Sequence, residues 1–212
     1  MESIATILRF FQEGGVFMYP IMFVMAAGIA IAIERYIFLW QARRANIAYW
    51  QRIFPLLNDA RYNEVQEISA GRVALGHVMT YGLRRLRANG SAQDVEAALQ
   101  EGLMEVMPSI EKRTHYLATF ANVATLLGLL GTIMGLIEAF TAVAHADAAQ
   151  KADLLSSSIS VAMNTTAFGL IVAIPLVLVY TMLQAKTTEI IDGIETSAVK
   201  FVNLVATRQA SK

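Results

Sequence analysis

The sequence predicts an all-α membrane protein with three transmembrane helices and long cytoplasmic helical extensions. Hydrophobic residues make up 56% of the 212 residues and charged residues 16%, whereas soluble domains have about 45–50% and about 25%. The mean hydropathy is correspondingly positive, at +0.48. Three long runs, 14–33, 116–137 and 154–185, carry no charged residue. Because about 20 apolar residues form a helix that crosses a bilayer core, each run predicts one span.

The first run is expected to remain in the protein as a span. It is followed by Glu34 and Arg35 rather than by the small residues of a signal-peptide cleavage site. The third run would reach about 48 Å as a helix, so we expect it to continue beyond the membrane. The predicted segments are an outer N-terminal segment at 1–13 with a short interfacial helix at 2–12, transmembrane helices at 14–40, 116–144 and 154–185, a cytoplasmic helical domain at 41–115, a short periplasmic loop at 145–153, and a cytoplasmic amphipathic helix at 186–212.

The distribution of basic residues predicts the orientation. Residues 41–115 contain ten lysines and arginines, whereas the connection at 145–153 contains Lys151 alone. Basic residues concentrate in cytoplasmic loops. The N-terminus is therefore expected outside, in the periplasm, and the C-terminus in the cytoplasm.

Two cytoplasmic helices are indicated by local patterns. Ser91 and Asp94 stand three residues apart, as in a capping box, after an Asn-Gly turn and before the apolar positions Val95, Leu99, Val106 and Ile110. Pro108 is expected to bend this helix. The C-terminal segment has a second apolar stripe at helical spacing, formed by Ile190, Ile194, Ala198, Phe201 and Val205.

The composition argues against several functions. The chain has no cysteine and only three histidines, and its formal net charge is zero. Because there is no cysteine, a thiolate nucleophile is excluded. The net charge of zero implies no strong attraction to nucleic acid. No Gly-x-Ser-x-Gly motif occurs. We expect no catalytic residue, no cofactor and no resident metal. Secondary transporters usually have more spans and inverted repeats, which this chain lacks.

The second and third runs contain small and polar residues that repeat at helical spacing. Thr125, Gly128, Thr132 and Gly135 share one face of the second run, where Gly131 and Gly135 form a GxxxG pair. In the third run the corresponding face has Ala162, Thr166, Gly169 and Ala173, flanked by Asn164 and Thr165. Helix packing alone can explain each residue. If the two faces meet, however, Thr132, Thr165 and Thr166 form a hydroxyl cluster that can coordinate a cation or hold water.

No acidic residue is expected beside that cluster. Glu34 ends the first run and Glu138 lies near the outer end of the second span. Both can be explained as carboxylates that face the interface, although each, like Asn164 and Thr125, is also a possible secondary element of an ion path. A cation pathway would therefore need its carboxylate from another chain.

Two motifs stand out in the second and third runs, "LLGLLGTIMGLIEAF" at 126–140 and "NTTAFGLIVAIPLVLVY" at 164–180. Together with the first span and its Glu-Arg exit, they resemble the MotA/TolQ/ExbB proton channel family. The three spans and the length resemble the ExbB/TolQ branch. The family's span-two threonine corresponds to Thr132, the threonine of its span-three motif to Thr166, and its following proline to Pro175.

The resemblance implies an inner-membrane stator subunit rather than an enzyme. It would form a homo-pentamer around two copies of an ExbD/TolR-like single-span protein with a membrane aspartate, and it could act on a TonB/TolA-like periplasm-spanning protein. Cation flow would then drive mechanical work on the cell envelope. The alternative is a non-conducting scaffold of an envelope complex.

Departures from the family pattern leave the transported ion open between H+ and Na+. Val161 stands where many members have a glutamate, and Thr165 adds a hydroxyl where alanine is common. Both changes favour neutral oxygen ligands, which hard monovalent cations prefer. They slightly favour Na+ over H+, and we expect a transient Na+ near Thr132, Thr165 and Thr166.

Overall fold

The computed structural model describes residues 14–69, 73–145, 147 and 150–210. The regular elements among these residues are six α-helices: α1 (Met18–Asn58), α2 (Tyr62–Ser69), α3 (Ala74–Arg87), α4 (Ala92–Glu111), α5 (Tyr116–His145) and α6 (Lys151–Ala210). The all-α prediction is thereby confirmed for the described part of the chain. The interfacial helix predicted at 2–12 lies outside the described residues.

Three stretches are long and apolar enough to cross a membrane, as the sequence predicts. They lie in Met18–Asn58, in Ala92–Ala144, which includes most of α5, and in Lys151–Ala210. α6 continues for 60 residues with Pro175 inside it. A proline removes one backbone donor from the helix, and neighbouring helices and waters can satisfy the freed groups of a membrane helix. α6 thus continues past the apolar run at 154–185 as one helix, while its extension beyond the membrane stays a prediction.

The chain divides into two compact units. The first unit is Met1–Ile33 with Arg113–Thr181, and the second is Glu34–Lys112 with Met182–Lys212. α1 and α6 each contribute residues to both. The first unit contains the three apolar stretches, and the second contains α2, α3 and α4.

The core of the second unit is formed by the apolar stripes that the sequence indicates. Val95, Leu99, Val106 and Ile110 of α4 are buried, as are Ile190, Ile194, Phe201 and Val205 of α6. Ala198 is only half-buried and the adjacent Ser197 is buried in its place. Ser197 can be buried there because its hydroxyl donates to the Gly193 carbonyl at 2.8 Å, which satisfies its polar group.

A buried arginine closes the C-terminal end of α4. The Arg35 side chain is 2% exposed, and its guanidinium donates a hydrogen bond to the Ile110 carbonyl in the last turn of α4. The last carbonyls of a helix have no partner within the helix and carry its negative dipole end. A cation at that position satisfies both requirements. Arg35, the second residue of the Glu-Arg pair after the first apolar run, therefore stabilises the second unit by bonding α1 to the end of α4.

The last turn of α6 is held by two polar side chains. The Arg208 guanidinium donates to the Tyr62 hydroxyl at 2.5 Å and to the Asn58 carbonyl at the end of α1. The Gln209 side-chain amide donates to the Gly90 carbonyl at 3.0 Å and accepts from the Ala92 N–H at 3.1 Å. Two of the groups bonded in this way, the Asn58 carbonyl and the Ala92 N–H, lie at helix ends and lack partners within their own helices.

The capping box predicted at the start of α4 is present. Asp94 N–H donates to Ser91 Oγ at 3.2 Å, and Ser91 N–H donates to the Asp94 carboxylate at 2.9 Å. Arg85 donates to the same carboxylate at 3.2 Å. The hydrogen bonds from Ser91, with a smaller contribution from Arg85, lower the pKa of Asp94 from 3.8 to about 2.

We predict that the contribution of Asp94 to stability disappears in acid. Because the folded-state pKa is depressed, this contribution is present above pH 3.8 and is lost as the pH falls towards about 2. At neutral pH, Asp94→Asn should lower the melting temperature of the detergent-solubilised protein. The difference from the unmodified protein should close between these two pH values. Glu96→Gln, an exposed change outside the capping box, is the control and should have little effect at neutral pH. A difference that persists at pH 2 would contradict this account.

Candidate functional site

The two small-residue faces of α5 and α6 meet in the first unit. A Cβ atom added to Gly169 would lie 2.7 Å from the Ala124 carbonyl oxygen, and one added to Gly128 would lie 3.3 Å from the Cα atoms of Gly169 and Thr166. A Cβ on Gly135 would lie 2.8 Å from Ala162 Cβ. The two backbones therefore approach each other at a distance that only glycine permits, as small residues allow between membrane helices.

This approach brings two threonine hydroxyls into contact across the helix pair. Thr132 of α5 and Thr166 of α6 share a hydrogen bond between their Oγ1 atoms. The Gly128 carbonyl oxygen lies 2.9 Å from Thr166 Oγ1 and 3.1 Å from Thr132 Oγ1, and the Ala162 carbonyl lies 3.5 Å from Thr132 Oγ1. We call these two side chains the threonine pair. Together with the Gly128 and Ala162 carbonyls, the threonine pair forms a cluster of neutral oxygens. The two hydroxyl protons of this cluster are shared among several acceptor oxygens.

The hydroxyl of Thr165 points to a different partner. It donates to the Gly14 carbonyl at 2.6 Å, with the Val161 carbonyl of its own helix at 3.1 Å. Its methyl group packs on Gly131, where an added Cβ would lie 2.4 Å from Thr165 Cγ2. Thr165 is 2% exposed, whereas Thr132 and Thr166 are half-buried. The tandem threonines thus have separate contacts: one belongs to the threonine pair, and the other holds the chain at Gly14, before the left-handed turn at Gly15, where φ is +74°.

Among the described residues, the others predicted from the sequence form no hydrogen bond with the threonine pair. Thr125 is exposed and donates to the Ala121 carbonyl of its own helix at 3.0 Å. Glu138 is exposed on α5, six residues or about 9 Å along the helix from Thr132. Asn164 is half-buried, and Pro175 is exposed farther along α6. Glu34 belongs to the second unit, where it is exposed.

The surroundings of the threonine pair are apolar. Large hydrophobic side chains are exposed along both helices, among them Leu129, Ile133, Met163 and Leu170. The charged residues of α5 and α6 within the described first unit are Glu138, Lys151 and Asp153. None of them forms a hydrogen bond with the threonine pair. Among the described residues, no group of three histidines or carboxylates is arranged to hold a metal ion.

The structure also shows a polar cluster that sequence reasoning missed. In the second unit, His77 Nε2 lies 3.1 Å from a Glu105 carboxylate oxygen, to which the Tyr81 hydroxyl also donates. These bonds, the one from Tyr81 first, lower the pKa of Glu105, and the bond to Glu105 raises the pKa of Tyr81. His77 and Glu105 line a cavity of about 610 Å3 together with Phe38, Asn46 and Ile110. The spacing of His77 and Tyr81, four residues apart on one helix face, was the available signal, but nothing in the sequence pointed to Glu105 as their partner.

Comparison with known proteins places these features in a family. The family model described as "MotA/TolQ/ExbB proton channel family" matches residues 71–196, which is more than half of the chain and includes the threonine pair. A protein named as a homolog of biopolymer transport protein ExbB, from Methanothermobacter thermautotrophicus, is 29% identical over 196 residues, which are 90% of this chain and 67% of the relative.

Two further relatives are named TolQ and ExbB, after which the three-span branch is called. The Tol-Pal system protein TolQ of Haemophilus influenzae is 34% identical over 105 residues, covering 46% of each chain. The biopolymer transport protein ExbB of Pseudomonas putida is 27% identical over 170 residues, covering 74% of this chain and 51% of the relative. In these three alignments the chain therefore spans between about half and two thirds of the length of its relatives.

We predict that Gly169→Ala disrupts the contact between α5 and α6. The added methyl would meet the Ala124 backbone oxygen at 2.7 Å, which forces the helices apart, and overpacking of this kind costs about 1–3 kcal/mol. Melting of the purified protein in detergent should occur at a lower temperature. Gly193→Ala, in the same helix, is the matched control because nothing lies within 4 Å of a Cβ there. It should be neutral or slightly stabilising, since alanine favours a helix over glycine by about 1 kcal/mol. Equal melting temperatures for the two variants would contradict the close contact.

Proposed function

The chain belongs to the MotA/TolQ/ExbB proton channel family, and we propose that it is a stator subunit that couples cation flow to mechanical work on the cell envelope. The observation that carries the proposal is the threonine pair. It supplies uncharged hydroxyl oxygens from two helices, each apolar enough to span a membrane. Polar groups in such helices are costly and mark ion or substrate pathways.

A neutral oxygen cluster can support ion transfer but cannot by itself take up a proton at physiological pH. Threonine hydroxyls do not titrate there, whereas a carboxylate does. None of the carboxylates described on α5 and α6 forms a hydrogen bond with the threonine pair. We therefore assign the titrating group to a partner: an ExbD/TolR-like protein with one span and an aspartate that would face Thr132 and Thr166.

The proposed assembly is a homo-pentamer around two copies of that partner. α5 and α6 would line the centre, and their exposed apolar side chains would contact neighbouring subunits and the partner helices. A TonB/TolA-like protein would transmit the work across the periplasm. The proposed location is the bacterial inner membrane. The N-terminus would lie in the periplasm and the C-terminus in the cytoplasm, because ten basic residues lie in 41–115 and basic residues concentrate in cytoplasmic loops.

The Thr165 contact weakens one argument about the coupling ion. The preference for Na+ relied partly on Thr165 as an additional ligand, but its hydroxyl donates to the Gly14 carbonyl. The oxygens available at the threonine pair are then two hydroxyls and the carbonyls of Gly128 and Ala162. That set can serve H+ transfer through water or bind Na+ with a partner carboxylate, so the proposal keeps both ions.

A non-conducting scaffold is the competing function. In a scaffold the threonine pair would serve only to pack α5 against α6. Interhelical hydrogen bonds in membranes contribute on average about 0.6 kcal/mol, which is small beside the packing of two long helices. Removing one hydroxyl should thus leave assembly intact under either function, and only the stator requires the hydroxyl for activity.

We predict that Thr166→Val and Thr132→Val abolish ion-driven work while the complex still assembles. Valine keeps the shape of threonine and removes the oxygen. The measurement is energy-dependent envelope activity in cells, combined with the size and composition of the purified complex with its partner.

Thr125→Val is the matched control because Thr125 lies on the same helix and bonds only to the Ala121 carbonyl. It should retain most activity. Full activity of Thr166→Val and Thr132→Val in an intact complex would reject the ion path and favour the scaffold. The same assay in sodium-free medium distinguishes the two ions: H+ coupling leaves activity unchanged until the proton gradient is collapsed, whereas Na+ coupling abolishes it.

A further inference from the structure

Two cations rest on aromatic rings where α1 and α6 leave their apolar stretches. The Arg44 guanidinium lies 3.7 Å from the centre of the Trp40 ring, and Lys186 Nζ lies 5.2 Å from the centre of the Tyr36 ring. Tyr36, Trp40 and Arg44 follow one another at four-residue spacing and so share a stripe of α1. Lys186 reaches this stripe from α6. All four residues belong to the second unit.

The position of this stripe along the helices corresponds to the headgroup level of a bilayer. The uncharged run of 20 residues at 14–33 is long enough to cross the hydrocarbon core as a helix, which places the end of the core near Ile33. At 1.5 Å per residue, Tyr36 then lies about 5 Å and Trp40 about 10 Å beyond it. Lys186 is the first charged residue after the apolar run at 154–185. Tyrosine and tryptophan are enriched at this level of membrane proteins.

The two cations carry charge that the chain does not neutralise. Neighbouring arginines are already bonded: Arg35 to the Ile110 carbonyl, and Arg43 to Glu189 at 2.6 Å. Among the described residues, neither Arg44 nor Lys186 forms an ion pair. Glu34 is exposed, but it precedes Tyr36 by two positions and therefore projects from another side of α1.

The rings are accessible together with the cations. Tyr36 is 52% exposed and Trp40 is 44% exposed. Arg44 is exposed and Lys186 half-buried. An exposed ring at the headgroup level can lie against the glycerol region of a lipid, while the guanidinium and ammonium groups bind phosphate oxygens. The rings orient both cations by cation–π contact.

We propose that Tyr36, Trp40, Arg44 and Lys186 form a binding site for the headgroup of an anionic phospholipid. The site lies on the outside of the α1–α6 pair in the second unit and does not depend on the ion path. Two uncompensated cations favour a lipid with net negative charge over a zwitterionic one. A basic residue near an anionic membrane surface contributes a preference of about five-fold.

The test uses Trp40 as a local reporter. The chain has two tryptophans, so Trp50→Phe leaves Trp40 as the only one. This variant is reconstituted into phosphatidylcholine vesicles that contain a fixed small fraction of brominated lipid. The brominated lipid is phosphatidylglycerol in one series and phosphatidylcholine in the other, each carrying bromine near the headgroup end of its acyl chains. We expect brominated phosphatidylglycerol to quench Trp40 several-fold more effectively.

Removing the two charges should abolish that excess. In the same background, Arg44→Gln with Lys186→Gln should make the two brominated lipids quench equally. The control is Arg52→Gln with Lys200→Gln, which removes two exposed cations from the same helices, about 12 and 21 Å farther along them. It should retain the excess. Equal quenching by both lipids in the parent variant, or an excess that survives the Arg44 and Lys186 changes or is lost in the control, would overturn the proposal.

Discussion

The close approach of α5 to α6 at Gly128 and Gly169 is the contact on which the candidate site depends. With a Cβ atom at either position, one helix would meet the backbone of the other at 2.7–3.3 Å. Between membrane helices there is no hydrophobic driving force comparable to that in water, and association relies on close packing and interhelical hydrogen bonds. The glycines provide the packing, and the threonine pair provides a hydrogen bond about one helical turn away.

The threonines show how polar groups are accommodated in apolar helices. Thr125, Thr132 and Thr165 each lie within hydrogen-bonding distance of a carbonyl four residues earlier in their own helix, which satisfies a hydroxyl at little cost. Thr132 and Thr166 also meet each other, and Thr165 meets the Gly14 carbonyl. The partner beyond a threonine's own helix therefore indicates its role: Thr132 and Thr166 form the threonine pair, whereas Thr165 holds the chain at Gly14.

Much of the fold follows from one-dimensional patterns. The apolar runs have 20 residues or more, enough to cross a bilayer core as helices, so the three candidate spans could be predicted from length alone. The capping box at Ser91 and the stripe at Ile190 to Val205 follow from local spacing, with Ser197 replacing Ala198 in the core. In the site, the four-residue and three-residue spacings indicated that Thr132 and Thr166 could meet, because these residues lie on the small faces that pack together.

What the patterns could not predict depends on contacts between distant segments. Thr165 was grouped with Thr166 because the two are adjacent, but successive helical residues point about 100° apart, and its partner, Gly14, is 151 positions away. The bond from Arg35 to the Ile110 carbonyl and the pairing of His77 with Glu105 likewise join segments whose proximity no local pattern encodes.

The candidate site depends on the contact of Thr132 with Thr166 across the helix pair, and disulfide formation tests this contact most directly. The chain has no cysteine, so Thr132→Cys with Thr166→Cys introduces the only two thiols. A disulfide requires sulfurs about 2.05 Å apart, which hydroxyl oxygens in contact make attainable. After mild oxidation in membranes, the account predicts that both thiols are protected from alkylation and regain reactivity after reduction. The control is Thr125→Cys with Thr166→Cys, which should stay reactive. Thiols at 132 and 166 that remain free, or cross-linking of the control pair to the same extent, would contradict the account.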